Sequence, residues 1–197
     1  MSTSNKQLIV VCFEGFNTGN TFYPKEVGFC NAHSLISGYY YVNLSNDLWL
    51  SLSKPVQKVF KWKSANIHKL GWNSYPTGHY NLDYIEHWIG YLSQFFIIGT
   101  LGAEKAAYLS NVSGAPVVDL LPEYPQLSDL NLNGVPNCGY VGHRESNTYC
   151  AFSIAVSAAS WINNCLSQNS SPQPILPQNS HEPNYETGSS TVIGSQP

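Results

Sequence analysis

Charge is scarce in this chain. Asp, Glu, Lys and Arg make up only 11% of its 197 residues, with a net charge of −3, against about a quarter in an average domain. No global basic field announces nucleic acid. Long apolar runs are also missing, since none approaches the roughly 20 residues that span a bilayer, so no membrane partner is expected. The first residues, Met1 to Lys6, lack the apolar core and cleavage site of a secretory signal. The five cysteines are an odd number without a secretory context. They point to a reducing compartment, cytoplasmic or nuclear, with free or metal-bound thiols rather than a disulfide framework. The Asn-x-Ser sequons at Asn43, Asn111 and Asn169 are then read as chance.

Apolar and aromatic residues are well supplied, at 43% and 13%, enough for one real core. Gln7 to Glu14 is almost continuously apolar and β-branched, the mark of a strand buried on both faces. Turn residues follow, then a second strand over Thr21 to Phe29, antiparallel to the first, with Pro24 tolerable only at an edge or a bulge. Ser37 to Leu44 is a third strand. Leu82, Ile85, Trp88, Ile89 and Leu92 repeat at helical spacing behind a cap at Asn81. Phe95 to Ile98 is a short strand, Gly102 to Ser110 a helix, and Ala115 to Leu120 a last strand, parallel to its predecessor because a helix joins them. A final helix runs from Cys150 towards Leu166, behind cap candidates Ser146 and Asn147, with one polar strip of Ser153, Ser157, Ser160 and Asn164. Three antiparallel strands, a βαβ unit and a closing helix outline an α/β ribonuclease H-like fold, with a mixed five-stranded sheet flanked by helices, over residues 1–167. Residues 168–197, rich in Ser, Pro and Gln, bury too little to offset their ordering entropy. They read as a disordered tail or an arm for self-association or another protein.

One stretch departs from the general charge poverty. Between Asp47 and Asp83 there is no acidic residue, yet Lys54, Lys58, Lys61, Lys63 and Lys69 fall there, five of the nine basic residues. Phe60, Trp62, Trp72 and Tyr75 are interleaved, with His68 and His79 nearby. Lysines attract phosphate and aromatic faces stack on unpaired bases, so Lys54, Lys58, Lys61, Trp62, Lys63 and Lys69 are candidate contacts to RNA or another single strand. The alternative is a solvated segment that its aromatics anchor to the core.

The densest chemistry lies at Cys138, His143 and Cys150, a C-x4-H-x6-C pattern whose second cysteine opens the final helix. Thiolates and imidazole are the ligands zinc prefers, and a tetrahedral site needs one more. Cys150 lies off the polar strip and points inward, which also suits a small buried hydrophobe.

Three places carry a resemblance to Maelstrom domains, ribonuclease H-like modules similar in fold to DEDD-type 3′-5′ exonucleases. They are Phe22-Tyr-Pro-Lys-Glu26-Val-Gly, Val117-Val-Asp119-Leu, and the ordered Cys138, His143 and Cys150-Ala. The likeness covers residues 7–167 and includes no HMG box; the Cys-to-His interval is wider here than in the animal family. It implies a structural zinc held by Glu26, Cys138, His143 and Cys150, with RNA as partner in a silencing role. For Glu26 the alternative is a surface carboxylate paired with Lys25 or another lysine. The same likeness implies a lost exonuclease. Where the first strand should carry Asp-x-Glu it reads Cys12-Phe13-Glu14, no Asp occurs from Gly99 to Glu104, and Cys150 stands where the last Asp belongs. One carboxylate does not hold two magnesium ions.

The expectation is therefore a zinc-stapled, catalytically degenerate nuclease-fold module that binds RNA. One alternative is a metal-independent single-stranded RNA nuclease with Glu14, His68 and His79 (or His143) as acid–base candidates. Another is a self-assembling scaffold of viral or transposon origin.

Overall fold

The structure is a computed structural model that describes residues 6–19, 21–73, 79–124, 134–140, 143 and 150–169. Its centre is β1 (Gln7–Asn17), antiparallel to β2 (Phe22–Asn31) and parallel to β5 (Phe96–Thr100). β3 (Ser37–Asn43) lies antiparallel beyond β2, and β6 (Val117–Asp119) parallel beyond β5. A short strand, β4 (His79–Asn81), adds to the free edge of β3 and makes the order β4-β3-β2-β1-β5-β6. The expected mixed, ribonuclease H-like sheet is therefore present, with six strands rather than five. The sixth has only three residues, all exposed, so it carries no apolar alternation by which to announce itself.

Side chains of β1 alternate between two cores. Ile9, Val11 and Phe13 pack on one side against α3 (Leu82–Phe95) and α4 (Ala103–Ser113). Val10 and Cys12 pack on the other against α5 (Ala151–Asn169). This double burial is why the strand reads as a continuous apolar run. Asn81 caps α3 as expected, its Oδ1 accepting the Tyr84 N–H at 2.8 Å. The β1–β2 ladder shifts register between Glu14 and Gly15, where Gly15 pairs with Pro24. Such a bulge is where a sheet tolerates proline, and the expectation for Pro24 holds in that form.

The stretch after Asp47 forms α1 (Asn46–Ser51) and α2 (Lys54–Asn66), which the sequence reading left without elements. The signals are there. Ser45 Oγ caps α1, Pro55 sits in the first turn of α2, and α2 buries only Gln57 and Phe60. A helix with so narrow an apolar stripe leaves little periodicity to detect. On α5, Ser153 is buried and its hydroxyl donates to the Pro136 carbonyl at 2.9 Å. The polar strip faces water only from Ser157 onward. The proposed cap residues Ser146 and Asn147, and the tail after Asn169, lie outside the described residues. Among the described residues no helix is long and apolar enough to cross a membrane.

Candidate metal centre

Four side chains from distant parts of the chain meet under the N-terminus of α5. Glu26 comes from the middle of β2, Cys138 from the segment before α5, and Cys150 from the residue that opens the helix; its carbonyl accepts the Ile154 N–H. His143 joins them, and the four ligand atoms lie within 4.8 Å of one another. All four residues are buried, at 0%, 3%, 1% and 0% exposure for Glu26, Cys138, His143 and Cys150. A polar cluster buried so deeply is costly unless its members satisfy one another or share a cation.

The four ligand atoms lie close enough together to surround one ion. Bonds of 2.0 to 2.3 Å to zinc put neighbouring ligand atoms roughly 3.3 to 3.8 Å apart. Here Cys138 Sγ lies 3.1 Å from His143 Nδ1, His143 Nδ1 3.7 Å from Glu26 Oε2, and Cys150 Sγ 3.4 Å from Glu26 Oε1. The surrounding bonds orient the donors. His143 Nε2–H donates to the His68 carbonyl at 2.8 Å, which leaves the Nδ1 lone pair aimed into the cluster, the support that ligating histidines need. The Ala151 N–H donates to Glu26 Oε2 at 3.2 Å, and the Cys138 N–H to Cys150 Sγ at 3.4 Å. Tyr41 donates its hydroxyl to the Cys138 carbonyl at 3.3 Å.

Gly28 lets this happen. A Cβ there would sit 2.4 Å from backbone atoms of Ala151 and Phe152, so only glycine allows α5 to start against β2.

Without an ion the cluster shares its protons unevenly. Burial pushes the Glu26 carboxyl up to about 8, and the neighbouring Cys150 adds to the shift. The hydrogen bond from Cys138 holds the Cys150 thiol well below its usual range, while Cys138 is pushed up by donating it and by burial. For His143 burial works against protonation, but contacts with Cys150 and Glu26 outweigh it and raise the ring. A cation would replace these protons, since thiolate, neutral imidazole and carboxylate are the binding forms. Glu26, Cys138, His143 and Cys150 are thus close enough and of the right chemistry to bind a metal ion, and the set is compatible with zinc.

Lys25 is not the partner of Glu26. Strand alternation sends it to the opposite face, where Nζ donates to the carbonyls of Val42 and Trp72 at 3.0 and 2.9 Å and burial lowers its pKa to about 8.

The other candidates divide. Glu14 faces Glu26 in the β1–β2 register, but Lys105 Nζ lies 3.6 Å from its Oε1 and also donates to the Phe13 carbonyl at 2.6 Å. Burial raises the Glu14 carboxyl and the lysine counteracts it. Asp119 accepts the backbone N–H groups of Gly102 and Leu121 at 2.8 and 3.0 Å. His68 is buried, its Nδ1 accepts the Leu70 N–H at 3.2 Å, and burial lowers its pKa to about 4. The ring is therefore a neutral core group packed edge-on to Phe16, and its backbone carbonyl is what serves the site. His79 is exposed on β4, in register with Tyr41. Glu14, His68 and His79 thus do not come together as an acid–base set. Cys12 is buried, and burial pushes its thiol up to about 12.

At about 100° per residue, Lys54, Lys58, Lys61 and Trp62 share one face of α2. All four are exposed, Trp62 at 58%. Lys63, also a candidate contact, lies about 140° from Lys58 around that helix and is half-buried, so it is off the face that Lys54, Lys58, Lys61 and Trp62 share. Lys69 is exposed in the loop after α2, its Nζ on the Ala65 carbonyl at 2.5 Å. Phe60 and Trp72 are buried anchors, and Tyr75 lies outside the described residues. Phe60 and Trp72 thus anchor the stretch to the core as the alternative reading expects, while Lys54, Lys58, Lys61 and Trp62 stand exposed to solvent. The sequence reading missed the supporting roles of Tyr41 and the His68 carbonyl. No sequence signal points to either, because one is a common strand residue and the other a backbone atom.

In comparison with known proteins, no family model matches the chain and no curated protein matches it.

Proposed function

We propose that the protein is a zinc-stapled, catalytically inert ribonuclease H-like module that binds single-stranded RNA through the lysine face of α2. The observation that carries the binding half is the alignment of Lys54, Lys58, Lys61 and Trp62 on one exposed helix face, in a stretch from residue 48 to 82 without a single acid. Spaced ammonium groups neutralise backbone phosphates, and an exposed indole offers a stacking plane that any base can use. Inertness is supported by the fate of the carboxylates. Glu14 is neutralised by Lys105, Asp119 is held by backbone amides, and Glu26 belongs to a sulfur-rich cluster. Among the described residues no set of hard oxygens is left to hold magnesium for phosphoryl transfer.

Zinc in this reading is structural. Two thiolates, one imidazole and one carboxylate complete a tetrahedron without an open position for water. The ordered ligand set is also what kinship with Maelstrom domains implies, and a role in RNA silencing belongs to the same proposal.

Two measurements test it. Elemental analysis of purified protein is expected to give about one zinc per chain, and none would remove the staple. Binding of a single-stranded RNA is expected to weaken with salt. Lys58→Ala and Lys61→Ala should each lower the salt slope by about one, while Lys63→Ala leaves it unchanged. Equal effects of all three would remove α2 as the binding face. The exposed aromatics of α3, Tyr84, Tyr91 and Phe95, favour a second reading as a protein-binding scaffold. A salt-independent, RNA-indifferent protein that sediments as an oligomer would support that reading instead.

A further inference from the structure

A cavity of about 410 Å³ opens beside the lysine face of α2, within the roughly 300–1,000 Å³ of small-molecule pockets. Its walls include Phe16, Trp49, Phe60 and Trp72, with Lys61 and Ala65 on the helix side. Phe16, Phe60 and Trp72 are buried rings that floor the pocket, and Trp49 is the half-buried ring among the four. Phe60 stacks on Trp72 at 5.9 Å and 15°, Phe16 on Phe60 at 4.8 Å, and Trp49 leans on Trp72 at 5.1 Å. Lys61 Nζ sits 6.0 Å from the centroid of the Trp49 ring, a cation held at the pocket by an aromatic face. Lys54 and Lys58 continue the positive charge along the helix.

We infer that this pocket takes one unstacked nucleobase of a single strand, with Lys61 meeting the adjoining phosphate. The inference rests on the proposed RNA reading and deepens it by naming where a base goes. An aromatic lining alone would equally accept an apolar side chain of a protein. What selects a nucleotide is the charge, since the pocket joins apolar planes to a cation, and the helix carrying it adds two more lysines on the same side and no acid. A flat base with an anionic phosphate one bond system away matches both parts, and stacking on such rings is tolerant of sequence.

The test compares a short single-stranded oligoadenylate with the same strand carrying abasic sites at its centre, on the full chain. Binding to the abasic strand is expected to be about tenfold weaker, the loss of one base–aromatic contact. Ala65→Phe, which fills the mouth from an exposed position, should abolish the difference between the strands while leaving the salt slope unchanged. In a Trp62→Phe background, adenosine monophosphate alone should quench tryptophan emission, and Ala65→Phe should prevent it. Equal binding of the two strands overturns the base pocket but leaves the lysine face standing. Quenching by the mononucleotide without any oligonucleotide binding keeps the pocket and sinks the RNA reading. Neither binding nor quenching sinks both.

Discussion

Two glutamates face each other across the centre of the sheet and meet opposite fates. Glu14 on β1 and Glu26 on β2 are register partners, and each carboxyl is raised first of all by burial. Around Glu14 the compensation is a lysine reaching in from α4. Around Glu26 it is a cysteine pair and a histidine delivered by the chain entering α5. Burying a carboxylate requires a partner in either case, and the chemistry of that partner decides what the position can do. A lysine turns Glu14 into an ion pair, whereas two sulfurs and an imidazole make Glu26 part of a cluster that could hold a metal ion.

The largest effect should come from breaking the Glu26 side. Glu26→Gln or Cys150→Ser should release the metal and cost on the order of 5 kcal/mol, a fall in Tm of about 10–20 °C by thermal denaturation. A chelator should reproduce it on the unaltered chain. If neither variant nor chelator moves Tm, the cluster is packing alone and the contrast with Glu14 collapses.

Next comes the imidazole that backs the site. His68 has a folded pKa near 4, below the ordinary 6.5. Between those values the unfolded chain binds more protons, so stability is complete above about pH 6.5 and falls as pH drops towards 4. The loss attributable to His68 is at most about 3 kcal/mol. His68→Asn, whose Oδ1 can still accept the Leu70 N–H, should flatten that acid slope in urea titrations and retain the metal, because the backbone carbonyl that holds His143 is unchanged. Loss of the metal in this variant would show that the ring itself orients the ligand.

Gly28→Ala should cost about 2 kcal/mol, because its Cβ drives β2 and α5 apart, and should weaken metal retention with it. An unchanged metal content would show that the two elements can separate without moving Cys150 from Glu26. The smallest effect is expected on the Glu14 side. Glu14→Gln leaves Lys105 bonded to the Phe13 carbonyl and should cost about 1 kcal/mol, with full metal content. A loss as large as that of Glu26→Gln would mean that the two glutamates form one site.

Much of this was legible beforehand where the signal is local. The doubly buried β1, the Asn81 cap and the C-x4-H-x6-C pattern are properties of short windows, and the α/β outline follows from their order. The lysine stretch was legible as composition but not as structure. α2 buries too few residues to show a period, so neither the helix nor the departure of Lys63 from its face was read. The surface-carboxylate alternative for Glu26 falls because the side chain is fully buried and Lys25 bonds elsewhere on the opposite face, and burial depends on the elements packed over the strand.

By itself the sequence determined most of the strands and helices, though not β4, α1 or α2, and that two thiols and an imidazole lie near the start of the last helix. Side-chain period and capping chemistry act within a few residues, so they are written in order along the chain. The tertiary structure brought Glu26, 124 residues from Cys150 and named in the sequence only through a resemblance, into the set, and it alone decided that Lys105 neutralises Glu14 and that the His68 carbonyl fixes the tautomer of His143. Those are contacts between elements. They depend on sheet order, register and the close approach at Gly28, which no single window of sequence contains.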